Sequence, residues 1–246
     1  MSFSVDFINR PKSILLIWSP KVACTTLHKW FIEDICNINE DKDARIVANE
    51  RNIYKYNESY EEFKGFDAYF FVREPIRRCI SAYLNKFVVH DGKRILNANQ
   101  LESFSKELIL NYDPNLLENY KGISFNTFLE AIKKGININK IDDHFNKQVN
   151  INKFNNLKRN CKLHLINIDN LNEELPKINL KYNVKPKNYE HLNKTKYEND
   201  SIYIDVTNTL SNDLSLNNIS VNNFYNAFKI IYNIYESDFR LLNDVL

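Results

Sequence analysis

Two short stretches of this sequence hold residue types that bind phosphate. The first is Ser19-Pro20-Lys21-Val22-Ala23-Cys24-Thr25-Thr26. Backbone N–H groups at a turn into a helix can cradle an anion, the hydroxyls of Thr25 and Thr26 add donors, and Lys21 brings a mobile positive charge. The second is Arg73 with Arg77 and Ser81, at helical intervals. A guanidinium binds two oxygens of a phosphomonoester in its own plane, and a hydroxyl completes the pair. Each stretch also has a plain alternative. The first reads equally as a strand-to-helix turn with a threonine cap and a surface lysine, the second as a solvated basic helix face. Taken together, they describe a ligand with two separated phosphate groups.

The loop is not a Walker A motif, because it has no glycine and lacks the Gly-Lys-Ser/Thr ending. Arg73 stands where a P-loop NTPase often presents a magnesium-holding aspartate. A basic residue there repels a metal and attracts a second phosphate, so no metal site is expected.

These residues need elements to position them. Ser13 to Trp18 is a short apolar run and reads as a buried strand; Thr26 to Cys36 has near-helical apolar spacing. Asn37 to Asn57 is polar and reads as an outward loop. Ala68 to Val72 reads as a second buried strand. Pro75 suits the first turn of a helix, on which Arg77 and Ser81 lie opposite an Ile76, Ile80, Tyr83 and Phe87 stripe. Glu102 to Leu110 reads as helix, ending near Asp113-Pro114. Ser124 caps a helix to Lys134 that Gly135 stops. Leu163 to Ile168 reads as a third strand and Asn222 to Glu236 as an amphipathic helix. Strands alternating with helices predict an α/β fold, a central and mainly parallel sheet flanked by helices in three P-loop-like layers. The lysine loop then falls at the carboxyl end of a strand, where open α/β sheets bind ligands.

With 246 residues, 43% hydrophobic and 13% aromatic, the chain can bury a large core and is expected to form a single domain over 1–246. A net charge of +2 and small basic clusters argue against nucleic acid as a partner. No apolar stretch is long enough for a membrane span, and no leader pattern opens the sequence. Cys24, Cys36, Cys79 and Cys161 form no close pair, so free thiols and a cytoplasmic location are expected.

The two phosphate stretches resemble those of sulfotransferases that use 3′-phosphoadenosine 5′-phosphosulfate (PAPS), the carbohydrate-type branch above all. Pro20 to Thr25 is similar to that branch's 5′-phosphosulfate loop, and Phe71-Val72-Arg73-Glu74-Pro75 through Ser81 to Phe87 to its 3′-phosphate element. His144-Phe145-Asn146-Lys147-Gln148 resembles a family segment running His-Trp-x-Pro-Gln, with Phe for Trp and Lys for Pro. His191 to Thr195 and Ile231 to Phe239 are fainter echoes. The polar insert at about 88–121 has no counterpart and is expected on the acceptor side.

The resemblance implies sulfuryl transfer from PAPS to a hydroxyl of a carbohydrate acceptor, in line and without metal, releasing 3′-phosphoadenosine 5′-phosphate (PAP). It assigns Lys21 and the backbone of Val22, Ala23, Cys24, Thr25 and Thr26 to the 5′-phosphosulfate, and Arg73 and Ser81 to the 3′-phosphate. An acceptor hydroxyl needs a general base, most often histidine. His144 is the first choice; His90, Asp143 and Glu33 are the alternatives. His28 is expected to face solvent or the nucleotide's edge, His164 to be a satisfied core residue, and His191 to shape a lid over the cofactor. Cys24 is read as a loop residue and not a nucleophile. Two other functions stay open: a non-catalytic PAP- or glycan-binding protein of the same fold, and a nucleotide-dependent phosphotransferase.

Overall fold

The computed structural model describes residues 6–55, 60–90, 93–137, 141–185 and 224–243. Its central sheet grows from the two apolar runs. Strands β1 (Asp6–Asn9), β2 (Ile14–Ile17), β3 (Tyr54–Lys55), β4 (Asp67–Val72) and β7 (Lys162–Asn167) lie in the order β3-β1-β2-β4-β7. β2, β4 and β7 run parallel, while β1 is antiparallel to both β2 and β3.

Both faces of β2 and β4 are covered, which explains why their sequences are continuously apolar. Ile14, Leu16, Tyr69 and Phe71 join one core with Leu27, Trp30 and Phe31 from helix α1 (Cys24–Trp30) and the π-turn that continues it. Val47 of α2 (Ala44–Glu50) and Leu175 of α8 (Leu171–Lys181) close the same face. The alternate residues Leu15, Ile17, Ala68, Phe70 and Val72 pack on the other face with Leu157 of α7 (Ile151–Asn160), and with Leu241 and Leu242 near the end of α9 (Phe224–Asn243). The expected mixed α/β architecture, a largely parallel sheet between helices, is therefore what the chain adopts.

The chain divides into two compact units. One comprises Met1–Glu74, Lys147–Lys194 and Arg240–Leu246 and holds this sheet; the other comprises Pro75–Asn146 and Thr195–Phe239. The second unit is mainly helical: α3 (Pro75–Tyr83), α4 (Ser103–Tyr112), α5 (Asn115–Glu118), α6 (Phe125–Asn137) and the first part of α9, with a β5–β6 ribbon (Val89–His90, Lys93–Arg94). Its core is aromatic, with Tyr83, Phe87, Phe125, Phe128 and Phe145 in mutual ring contact. The insert contributes to that core through Ile95, Leu101, Leu108, Ile109 and Tyr120.

Two sequence expectations change. Residues 37–57 are not simply a loop: α2 starts on Asp43, whose carboxylate accepts the Arg45 N–H at 2.8 Å, and it buries Val47 and Ala48. Its apolar contribution is too short to show as periodicity. Helix α6 runs through Gly135 to Asn137, because Gly135 is buried in the helix and does not take the left-handed conformation of a stop. Ser124 does cap it, accepting the Thr127 N–H at 3.1 Å. Strand β1 had no sequence signal beyond Phe7 and Ile8. It is held by the turn back to β2, where Asn9 accepts the Lys12 N–H at 2.9 Å.

Candidate anion-binding site

The loop after β2 takes an unusual backbone path. Lys21 and Ala23 have φ of 71° and 57°, and Val22 between them is fully buried in the core. Left-handed geometry costs a side-chain-bearing residue about 1–2 kcal/mol, so the surrounding fold must enforce it. Alternating signs of φ along three residues aim successive N–H groups to one side, the concave arrangement that binds anions. The helix cap is Ala23, which offers no side-chain oxygen to the first turn of α1, so a threonine cap is not what forms this turn. Cys24 and Thr25 are half-buried and Thr26 is buried.

Arg73 follows β4 directly, at the carboxyl end of the strand next to β2. Its backbone is gripped from both sides by one side chain. The Gln148 carbonyl oxygen accepts the Arg73 N–H at 2.8 Å, and the Gln148 amide donates to the Arg73 carbonyl at 2.8 Å. The Arg73 guanidinium donates to the Lys21 carbonyl at 3.1 Å. The sheet thus brings the two expected phosphate residues of this unit, Lys21 and Arg73, into one hydrogen-bonded group.

The second unit holds Ser81 and His144. On α3, Ile80 and Tyr83 are buried as the stripe requires, Arg77 is exposed and Ser81 half-buried. Arg78, next to Arg77 on this helix, is buried. It donates to the carbonyls of Asn146 at 2.7 Å and Asp143 at 3.2 Å, and so clips the segment that carries His144. The Tyr235 hydroxyl donates to the carbonyl of Phe145 at 2.6 Å, and Phe145 itself is buried core.

His144 is fixed on three sides. Its Nδ1 lies 2.5 Å from Asp142 Oδ1, its backbone N–H donates to the same oxygen at 2.9 Å, and Phe104 stacks on its ring at 4.8 Å. Burial works against ionisation of Asp142, yet the hydrogen bonds from His144 hold its carboxyl below the usual range. Beside this pair, buried Lys86 binds Glu102 at 2.5 Å and lies over Phe104 at 4.9 Å, and His90 Nδ1 is 3.7 Å from Glu102. The insert therefore supplies Phe104 and Glu102 to the surroundings of His144. Asp142, Arg78 and Gln148 were not singled out for these contacts from sequence; only the match of 144–148 to one family segment pointed at the region.

The remaining candidates fall elsewhere. His28 is buried between Phe7 (4.7 Å) and Trp18 (4.2 Å) and not exposed, because β1, which had no sequence signal, covers that side of α1. Burial, with Arg45 next in effect, pushes its pKa down to about 3. His164 is partnered by Asp67 at 2.7 Å and stacked on Tyr69, but its side chain is half-buried and not fully in the core. Glu33 lies 3.7 Å from Lys29, and Asp143 is half-buried. The His191 to Thr195 element lies outside the described residues.

The basic turn lies at the carboxyl end of the parallel strands, where open α/β sheets bind ligands. The chain belongs to the sulfotransferase family, whose model matches residues 7–243. Sulfuryl transfer is the activity this membership carries, and the family generally takes PAPS as donor and yields PAP. No curated protein and no solved structure matches the chain. Among the described residues no helix is long and apolar enough to cross a membrane.

Proposed function

We propose that this protein moves the sulfuryl group of PAPS to a hydroxyl of a carbohydrate, by in-line displacement without a metal. The observation that carries the reading is the Lys21–Arg73 group: a glycine-free turn with alternating φ, tied by an arginine to the neighbouring parallel strand. Its donor set, backbone N–H groups with one lysine and one arginine, suits an anion of the donor's kind.

PAPS supplies a sulfuryl group bonded to a phosphate that leaves as PAP. In the proposed roles, Lys21 neutralises charge on the leaving phosphate oxygen, and the backbone from Val22 through Ala23, Cys24 and Thr25 to Thr26 holds the 5′ end in a P-loop-like manner. Arg73 takes the 3′-phosphate, a role the sequence resemblance extends to Ser81. His144 accepts the acceptor's proton: with Nδ1 turned to Asp142, Nε2 is the nitrogen left to act as base. Positioning and charge stabilisation do the rest, as in phosphoryl transfer.

The test is thermal stability with PAP, and separately with ATP and magnesium, for wild type and Arg73→Ala. A ligand at a hundred times its dissociation constant adds about 2.7 kcal/mol. A PAP shift that needs no metal and largely vanishes in Arg73→Ala is expected. A shift only with ATP and magnesium would overturn the reading in favour of a phosphotransferase. PAP binding without sulfuryl transfer across a carbohydrate panel would point to the non-catalytic alternative.

A further inference from the structure

We propose that Gln148 is a positioning residue: its side-chain amide sets Arg73 for the 3′-phosphate. This rests on the donor reading above and adds a residue to it. The β4–β7 ladder ends at the Val72–Asn167 pair, and Arg73 is the first residue past the end of β4. Gln148 supplies a partner to each of its two backbone groups. A primary amide carries one acceptor and donors in the same plane, as a peptide group does, and both hydrogen bonds to Arg73 measure 2.8 Å. The Gln148 amide therefore pairs with the Arg73 backbone as a neighbouring peptide group would.

Gln148 can do this because its own place is fixed. It is buried, Val149 next to it is in the core, and Asn150 caps α7 by accepting the N–H groups of Asn152 and Lys153 at 3.0 and 3.1 Å. The contacts then run in sequence: α7 cap, Gln148, Arg73 backbone, Arg73 guanidinium, Lys21 carbonyl. An arginine just past a strand end otherwise has its backbone dihedrals free, and small backbone rotations there swing the guanidinium by ångströms. A two-point grip removes that freedom before ligand arrives, which is where affinity from preorganisation originates.

The experiment measures dissociation constants for PAP and for adenosine 5′-phosphate, which lacks the 3′-phosphate, in wild type, Gln148→Met, Arg73→Ala and the double variant. Met matches glutamine in length and removes both hydrogen bonds. We expect Gln148→Met to weaken PAP about tenfold, the scale of a lost buried hydrogen bond, and to leave adenosine 5′-phosphate within about twofold. The double variant should match Arg73→Ala alone, since Gln148 acts through Arg73. A residue that merely supports the fold would lower both affinities together. Gln148→Glu, near-isosteric and keeping only the bond to the Arg73 N–H, should also lose PAP preference and serves if the Met variant does not fold. A PAP preference unchanged in a folded Gln148 variant but lost in Arg73→Ala overturns the Gln148 role alone. A wild type with no preference for PAP overturns the donor reading, and the Gln148 role with it.

Discussion

At the scale of single residues, charge and tautomer decide what the site can do. Lys21 is the one lysine of the anion turn. Removing a donor that stabilises developing oxyanion charge costs about a hundred- to thousandfold in rate. Lys21→Ala should therefore lower kcat on that scale while PAP binding changes far less, as read by single-turnover assay alongside calorimetry. Equal loss in both would instead mark Lys21 as a binding residue. Asp142 acts on the other partner of the reaction. Held ionised by its bonds with His144, it favours the tautomer with the proton on Nδ1. Asparagine can present its N–H₂ to that nitrogen and favour the opposite tautomer. Asp142→Asn should then approach the loss of His144→Ala, about 10²–10⁴-fold, the worth of a general base. A kcat–pH profile unmoved by either change would remove His144 from the mechanism.

The anion turn is an element-scale property, because no residue in it adopts its conformation by preference. Two non-glycine residues stand at positive φ around a buried valine. Ala23 is both left-handed and an N-cap without an oxygen, two reasons for glycine to be better tolerated there. Ala23→Gly should raise stability by about 1 kcal/mol, or about 2–4 °C in Tm for a chain of this size. Ala23→Val should lower it, since a β-branched residue resists φ > 0 more strongly. Calorimetry of the two variants checks both signs. If glycine also weakens PAP, the alanine is retained to keep the turn rigid, a trade of stability for function.

Stability of the whole molecule should fall in acid in two windows, each traceable to one group. His28 titrates at its ordinary value of 6.5 in the unfolded chain but near 3 when buried beside Phe7 and Trp18, with Arg45 lowering it further and Asp43 opposing. Between those values the unfolded chain binds the extra proton. Stability is therefore full above pH 6.5 and declines towards pH 3, by at most about 1.4 kcal/mol per pH unit. Asp67 acts lower. Burial opposes its ionisation, but bonds with Tyr182, His164 and Lys181 bring its pKa down to about 2 from 3.8. Its contribution is complete above about pH 4 and is lost as pH approaches 2. Denaturant melts of His28→Phe should show a flatter slope between pH 6.5 and 4 than wild type. An unchanged slope would mean that His28 is protonated in the fold.

Much of this protein is legible in its sequence. Continuous apolar runs at 14–17 and 68–72 betray strands covered on both faces, and Pro75 and Ser124 mark helix starts through local backbone chemistry. The residue types of the two phosphate stretches follow from local spacing too, so Lys21, Arg73 and Ser81 can be named as candidates without coordinates, and the family resemblance adds His144. What spacing does not carry is any contact made across the chain. The grip of Gln148 on Arg73 joins positions 75 apart, Arg78 reaches Asn146 across 68, and His28 is buried by a strand with too few apolar residues to show. Hydrogen bonds of this kind leave no periodicity: glutamine and arginine are mostly exposed, and nothing in local spacing marks the buried exceptions. Local sequence determines which groups are available. Only the tertiary structure decides which are desolvated, which are held still, and so which can act.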